Sequence, residues 1–324
     1  MMNKIRHVAG AALLASACTA HGADYPVRPV RMLTPYAVGG NADIMARIVA
    51  QQMTRNLGQQ VLVDNRPGAN GIIGGELAAK AAPDGHTLLF IANSFVVNDV
   101  LMKKLPFDTL HDFAPVSRVG ATPLIIVVHP AVPASTTKEL LAYARQKPGQ
   151  LNYGSSGNGS PANLAGALLS HLTRIDIVHV AYKGTAQATN DLLAGQVQVG
   201  FPSMTSVMPH VRNGRAKAIA ITSLKRSPQA PDIPTLAETG VPGYEASIWN
   251  GVLAPKGIAP KLLQRVNGEI QRALDAPDTR ERFLALGADL GGSTPQEFRA
   301  YMEAEMAKWA RVAKDTGIKV DLAP

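Results

Sequence analysis

One cysteine, Cys18, stands in 324 residues. It falls inside a segment that reads as an export signal, so the remaining chain has no disulfide framework and no thiol to ligate a metal. The histidines His86, His111, His129, His171, His179 and His210 include no pair at helical metal spacing, and each reads as a surface or capping residue. Aromatic residues make up 5% of the chain and charged residues 17%. Basic residues are scattered rather than blocked, with no interleaved aromatics, which excludes the usual nucleic-acid surface. Beyond the first apolar run there is no long hydrophobic stretch to span a bilayer. Neither a Gly-x-Ser-x-Gly elbow nor a paired acid and base is present, so the sequence argues against an enzyme.

Lys4, Arg6 and His7 precede an apolar run from Val8 to Ala17 and small residues up to Ala23, the three-part form of a secretory signal. Cleavage after Ala20 or Ala23 leaves a mature chain beginning near Asp24. Ala15 to Cys18 is similar to a lipoprotein signal, but alanine stands at 15 where leucine is expected, which favours a soluble exported protein. The formal charge of +8 falls to about +6 once Lys4 and Arg6 are set aside. That balance suits mild attraction of anionic solutes. Roughly three hundred residues, 46% hydrophobic overall, suffice for two domains with their own cores.

The dominant pattern is a strand, a glycine turn and a helix. Leu151 to Tyr153 reads as a strand, the turn Gly154 to Ser160 is made of small residues, and Ser160 and Pro161 cap a helix whose stripe is Leu164, Leu168 and Leu172. Such a turn is either a plain strand-to-helix connection or a small-anion site, since glycines permit close backbone approach to open N–H groups. Val30 to Thr34, the turn to Gly39-Gly40-Asn41 and a helix to Leu57 repeat the theme. Here Asn41 reads as the cap, and Asp43 as a structural carboxylate that would repel an anion. Val61 to Val63, a turn at Arg66 to Gly71, a helix from Ile72 to Ala82 and Thr87 to Ala92 complete βαβαβ. Ile125 to Val128, the helix Thr137 to Gln146, and the segments from Leu151 to Phe201 spell the same order again. A strand over Ala216 to Thr222, a proline-rich loop over 223–235, a strand at Trp249 to Leu253 and helices near 260–274, 279–286 and 295–314 close the chain.

Several motifs together resemble one family. Asp24-Tyr25-Pro26, Pro35 to Asp43, Asn65-Arg66-Pro67-Gly68-Ala69, Pro83 to Leu89, Tyr153 to Gly157, His179 to Gly184, Asp191 to Val197 and Asp232 to Thr235 are similar, in this order, to the Bug family of solute receptors of tripartite tricarboxylate transporters. The resemblance spans the mature chain. It implies an α/β fold of the two-lobed periplasmic-binding-protein (Venus flytrap, type II-like) kind, each lobe a mostly parallel sheet flanked by helices. A signal over 1–23, a first lobe of 24–121 and 223–324, and a second of 122–222 follow, with crossings near Ala121 and Thr222. The implied protein is periplasmic and monomeric, takes no cofactor and no metal, captures a small organic carboxylate and hands it to membrane transporter subunits. Asn163 stands where the family has histidine, Ala181 and Gln187 where it has prolines, Asp99 where it has proline, and Pro202 where aspartate is frequent. These departures bear on which ligand is held rather than on the class.

Parallel sheets bind at the carboxyl ends of their strands, so turns from both halves are expected to meet in the cleft. The expected ligand-binding residues are Tyr36, Gly39, Gly40 and Ser94 from the first lobe, and Ser155, Ser156, Asn158, Ser160, Lys183 and Thr185 from the second. Glycines would expose amides, hydroxyls would donate, Tyr36 would pack on the ligand body and Lys183 would add positive potential. Trp249, just past the second crossing, is expected to sense closure more than Trp309, which lies on a packed helix face. Two other classes compete: an exported hydrolase using a serine of the 154–160 turn, and a dinucleotide enzyme built on Gly157-x-Gly159-x-x-Ala162. The second lacks an acidic residue at the end of the next strand, where Ala181 and Tyr182 stand.

Overall fold

The structure, a computed structural model, describes residues 25–102 and 104–318. The signal expected over 1–23 lies outside the described residues. No helix of the described residues is long and apolar enough to cross a membrane.

Two mixed sheets organise the chain. The first is built from β1 (Val30–Thr34), β2 (Val61–Asn65), β3 (Thr87–Ala92), β4 (Phe113–Thr122), β10 (Ile248–Pro255) and β11 (Asp289–Leu290), in the order β11-β4-β10-β3-β1-β2. The second contains β5 (Ile125–Val128), β6 (Leu151–Ser155), β7 (Ile177–Ala181), β8 (Val199–Gly200) and β9 (Lys217–Ile221), in the order β7-β6-β8-β5-β9. The βαβ portions are parallel, as the order of elements implies: β1 pairs with β2 and β3, and β6 with β7 and β8. Antiparallel pairs come from the strands next to the crossings, β10 on β3 and β4, and β5 on β8 and β9, and from the short β11 on β4. A strand entering from the other sheet arrives at the carboxyl edge and must run the opposite way.

Helices cover both faces of each sheet. Around the first lie α1 (Asn41–Leu57), α2 (Ile72–Ala79), α3 (Asn93–Leu101), α8 (Pro260–Asp275), α9 (Pro277–Ala285) and α10 (Pro295–Thr316). Around the second lie α4 (Thr137–Gln146), α5 (Pro161–Thr173), α6 (Thr185–Leu193) and α7 (Met204–Arg212). Alternation along β1 sends Met32 into the core under α1 and α8, while Leu33 faces the core shared with α3 and α10. α4 has the boundaries its sequence predicts, because Thr136 and Glu139 form a complete capping box. Four elements go beyond the sequence reading: α3, β4, α7 and β11. α3 continues straight from β3 without a break residue, and its apolar positions surround it, so no helical stripe announces it.

The segment 223–247 stays beside the second sheet after β9 ends. Ile221 bridges Thr235 in parallel, Ala246 N–H donates to Thr222 O at 3.1 Å, and the buried Tyr244 Oη donates to Ala165 O of α5 at 2.7 Å. The chain then enters β10, where Gly251 leaves room for the Phe298 ring to lie on the strand backbone. At the start of β10 the buried Trp249 Nε1 donates to Glu305 Oε2 at 2.9 Å, and Trp309 Nε1 donates to the same oxygen at 3.1 Å. Lys308 pairs with the other carboxylate oxygen. The two tryptophans thus share one acceptor instead of occupying the separate environments expected from the sequence.

Candidate functional site

The turn between β6 and α5 is held from behind. Gly157 (φ 117°) and Gly159 (φ 73°) take left-handed conformations that a side chain would strain. Gly154 is different: it lies in β6, with Ala188 and Tyr182 each 3.2 Å from where a Cβ would stand. Ser155, 1% exposed, accepts the Gly157 N–H on its Oγ at 3.1 Å, with His179 Nε2 2.6 Å and Gly157 O 3.0 Å from the same oxygen. Ser160 is the N-cap of α5, its Oγ accepting Asn163 N–H, and Pro161 is the first helical residue. The buried Asn163 accepts Gly159 N–H on Oδ1 at 3.0 Å and donates through Nδ2 to Tyr153 Oη at 3.2 Å. Burial pushes the Tyr153 phenol up to about 12 despite that hydrogen bond, keeping it neutral. Among the described residues the N–H groups of Ser156, Asn158 and Ala162 have no partner and stay open at the helix N-terminus.

The turn between β1 and α1 is closed on itself. Gly39 N–H donates to Asp43 Oδ2 at 2.9 Å, and the same buried carboxylate receives Arg47 and, at 2.8 Å, Asn65 Nδ2. Burial alone would raise the Asp43 pKa, but the hydrogen bonds from Arg47, Gly39 and Asn65 outweigh it and hold the carboxyl below its ordinary value. Gly40, not Asn41, is the N-cap, and its φ of −72° is ordinary extended backbone. Asn41 instead reaches across to Thr122 Oγ1 at 3.2 Å.

Between the two sheets lies a cleft of about 320 Å³. From the second sheet its wall is Ser156 and Asn158 to Pro161. From the first it takes Tyr36, Ser94 and the 67–71 turn, with Val97, Asn98 and Leu101 of α3. Tyr36 Oη accepts Ala92 N–H at 2.8 Å and lies 3.3 Å from Ser94 Oγ; burial pushes this phenol up to about 12. Ala69 and Asn70 both have positive φ, and Asn98 Nδ2 supports the turn by donating to Asn70 O at 2.9 Å. Strained non-glycine residues of this kind persist only where surroundings fix them. The wall contains no charged side chain, yet the N-terminal ends of α2, α3 and α5 all reach it, through Gly71, Ser94, and Ser160 with Pro161. Helix N-termini supply partial positive charge there without a cation.

Of the residues singled out from sequence, Tyr36, Ser94, Ser156, Asn158 and Ser160 come together in this wall. Gly39 and Gly40 lie outside it. Ser155 and Thr185 border a void of about 20 Å³ behind the turn, and Lys183 is exposed beyond the cleft. Sequence reasoning passed over Asn70, Val97, Asn98 and Leu101, the last three because α3 was not recognised. A larger groove of about 740 Å³ runs beside α5, but His171 and Arg174 in its wall both face Asp315. The 2.6 Å contact of Ser155 with His179 is the geometry a hydrolase would need, but its serine is sealed beneath its own turn and already accepts an amide.

Residues 45–318 match the family model described as the tripartite tricarboxylate transporter family receptor. The protein BugT of Bordetella pertussis is 39% identical over 298 residues, covering 91% of this chain and 91% of BugT. The structure of Rpa4515 of R. palustris with adipate superposes with a TM-score of 0.78 at 33% identity, over 91% of this chain and 99% of that one. MatC from Rhodopseudomonas palustris with bound malate gives a TM-score of 0.73 at 32% identity, over 89% and 99%.

Proposed function

The chain belongs to the tripartite tricarboxylate transporter receptor family and is a solute-binding protein rather than an enzyme; from that premise we propose that its cleft holds a small organic carboxylate, with dicarboxylates of malate to adipate size as first candidates. The observation that carries this reading is the wall itself: three helix N-termini, open amides and short hydroxyl and amide side chains, with no ionised group to repel or over-bind an anion. One carboxylate is received at the α5 turn by the open N–H groups of Ser156 and Asn158 and by Ser160. Val97 and Leu101 line the ligand body, and Ser94, Asn70 and Asn98 offer donors at the far end. Gly39, Gly40, Ser155, Lys183 and Thr185 are supports or bystanders in this scheme.

The lobes follow the sheets. We place 25–121 with 248–318 in one and 122–247 in the other, moving the second crossing from Thr222 to the end of the segment that Tyr244 fastens to α5. In this scheme the protein works in the periplasm after loss of its signal, as a monomer that hands its ligand to the membrane subunits. A panel of carboxylates tests the reading. At a hundredfold excess over Kd a true ligand stabilises by about 2.7 kcal/mol, a rise of roughly 4 °C in Tm for a chain of this size. Mass spectrometry of the supernatant after mild denaturation should identify any acid carried through purification. A panel in which no carboxylate shifts the melt, while nucleotides or esters do, overturns it.

A further inference from the structure

Behind the α5 turn, His179 stands between the groove and the cleft, two spaces whose walls share Asn158. The His179 ring lies in the wall of the 740 Å³ groove, while its Nε2 contacts Ser155 Oγ at 2.6 Å, and Ser155 in turn holds Gly157 of the turn that lines the cleft. We propose that His179 is a positioning residue for the ligand turn, fixing Gly157 through Ser155 and coupling proton uptake from the groove to anion capture in the cleft. For that second half the proposal rests on the carboxylate reading of the cleft.

The Ser155 hydroxyl has one proton and two acceptors in reach, His179 Nε2 at 2.6 Å and Gly157 O at 3.0 Å. In both arrangements its oxygen accepts the Gly157 N–H. With a neutral imidazole protonated at Nδ1, the hydroxyl donates to Nε2. When the ring takes up a second proton, so that both nitrogens are protonated, the imidazolium donates through Nε2 to Oγ and the hydroxyl turns to Gly157 O. One proton is gained, no heavy-atom bond changes, and Gly157 is then gripped at both its N–H and its carbonyl. The cation formed sits behind a turn whose open amides face the ligand, so the protonated state favours an anion.

The surroundings permit this titration. Tyr153 of β6 packs against the ring with centroids 5.1 Å apart and is itself neutral. Charged and titratable groups of the same groove are His171 of α5, its C-cap Arg174, Asp176 before β7, and Asp315 near the end of α10. Asp315 is engaged by His171 at 2.8 Å and by Arg174 at 3.7 Å. Burial holds His179 below the ordinary histidine value, so the ligand-free protein is mainly in the neutral arrangement at pH 7. Linkage then requires that a bound anion raise the proton affinity of His179 and that acid tighten binding.

Proton–nitrogen NMR of the purified ligand-free protein tests the relay. The Gly157 amide resonance should move with pH in step with the His179 ring, at a midpoint below the ordinary histidine value. His179→Gln should abolish that movement and His171→Gln should leave it. Should His179→Gln fail to fold, Ser155→Ala tests the same link: His179 still titrates but Gly157 no longer follows. A Gly157 amide that ignores His179, or that titrates unchanged in these variants, overturns the proposal. Adipate titrations at pH 7.5 and 6.0 provide the second arm. A unit charge about 10 Å from the carboxylate, at an effective dielectric of about 40 to 80, gives roughly two- to fourfold tighter binding when fully protonated. The parent should gain affinity on acidification relative to His179→Gln, a comparison in which the ligand's own ionisation cancels; equal behaviour of the two proteins overturns the coupling. A relay that titrates as described in a protein that binds no carboxylate at either pH would leave the relay standing and remove the dicarboxylate reading instead.

Discussion

The turns that open α1 and α5 are built on the same plan and end in opposite electrostatic states. In each, the N–H of a left-handed glycine donates to the side chain four residues on, at the third helical position: Gly39 to Asp43, and Gly159 to Asn163. The acceptor is a carboxylate in one and its neutral amide counterpart in the other. At α1 the carboxylate offsets the helix dipole and recruits Arg47 and Asn65, and the Gly39–Gly40 end of the turn that it closes lies outside the cleft wall. At α5 the amide leaves the N-terminus uncompensated, and that turn lines the cleft. A glycine-rich strand-to-helix turn is therefore not in itself an anion site. The charge at the third helical position decides whether the dipole is already spent.

The most forceful way to break this contrast is Asn163→Asp. The substitution keeps the acceptor for Gly159 N–H, and Tyr153 Oη can donate to the new carboxylate, so the fold should persist. A negative charge roughly 6 Å from the bound carboxylate, at an effective dielectric of about 20, costs about 2.8 kcal/mol, close to a hundredfold in Kd by calorimetry. Affinity within threefold of the parent would show that the α5 terminus does not hold the anion. The reciprocal change, Asp43→Asn, should act on stability and spare binding. Losing charge-assisted bonds from Arg47, Gly39 and Asn65 should lower the unfolding free energy by about 1 to 3 kcal/mol in denaturant titrations at pH 7.

Because the folded pKa of Asp43 lies below its unfolded value, its contribution is full above the ordinary carboxylate range and is lost as pH falls through the depressed value. Parent and variant should therefore converge in stability in acid. The smallest effect separates two glycines that look alike in sequence. Gly157→Ala must place a Cβ at φ 117° and should cost about 1 to 2 kcal/mol, although space around it is open. Gly40→Ala, at φ −72°, should change the melting temperature by no more than about 2 °C.

How much of this was legible in the sequence depended on distance along the chain. α4, the start of α5 and the parallel order of β1, β2 and β3 follow from caps, periodicity and the βαβ rule, all local signals. The Gly39–Asp43 bond is local too, at four residues, and the repulsion of an anion by Asp43 could be anticipated from its place in the first helical turn. The serine of the hydrolase alternative meets its histidine across 24 residues, and nothing in either stretch announces the pairing. β4 escaped because Pro115 and Gly120 interrupt its pattern and register shifts bend its pairing with β10. With α3 unseen, the apolar side of the cleft was missing, which is why the expected site consisted of polar turns alone.

Glu305 has an optical consequence. The chain contains two tryptophans, and both indole N–H groups end on one oxygen of that carboxylate. Intrinsic emission is then a readout of a single point, where the first residues of β10 meet the last helix, and two chromophores so close exchange excitation. A change of colour or intensity on adding ligand would report strain transmitted into that joint rather than contact with the ligand itself. Replacing either indole would also free the acceptor of the other, so single-tryptophan variants are not simple dissections of the parent spectrum. The informative substitution is Glu305→Gln, which keeps both rings and an oxygen for their N–H groups while removing the charge and the pairing with Lys308.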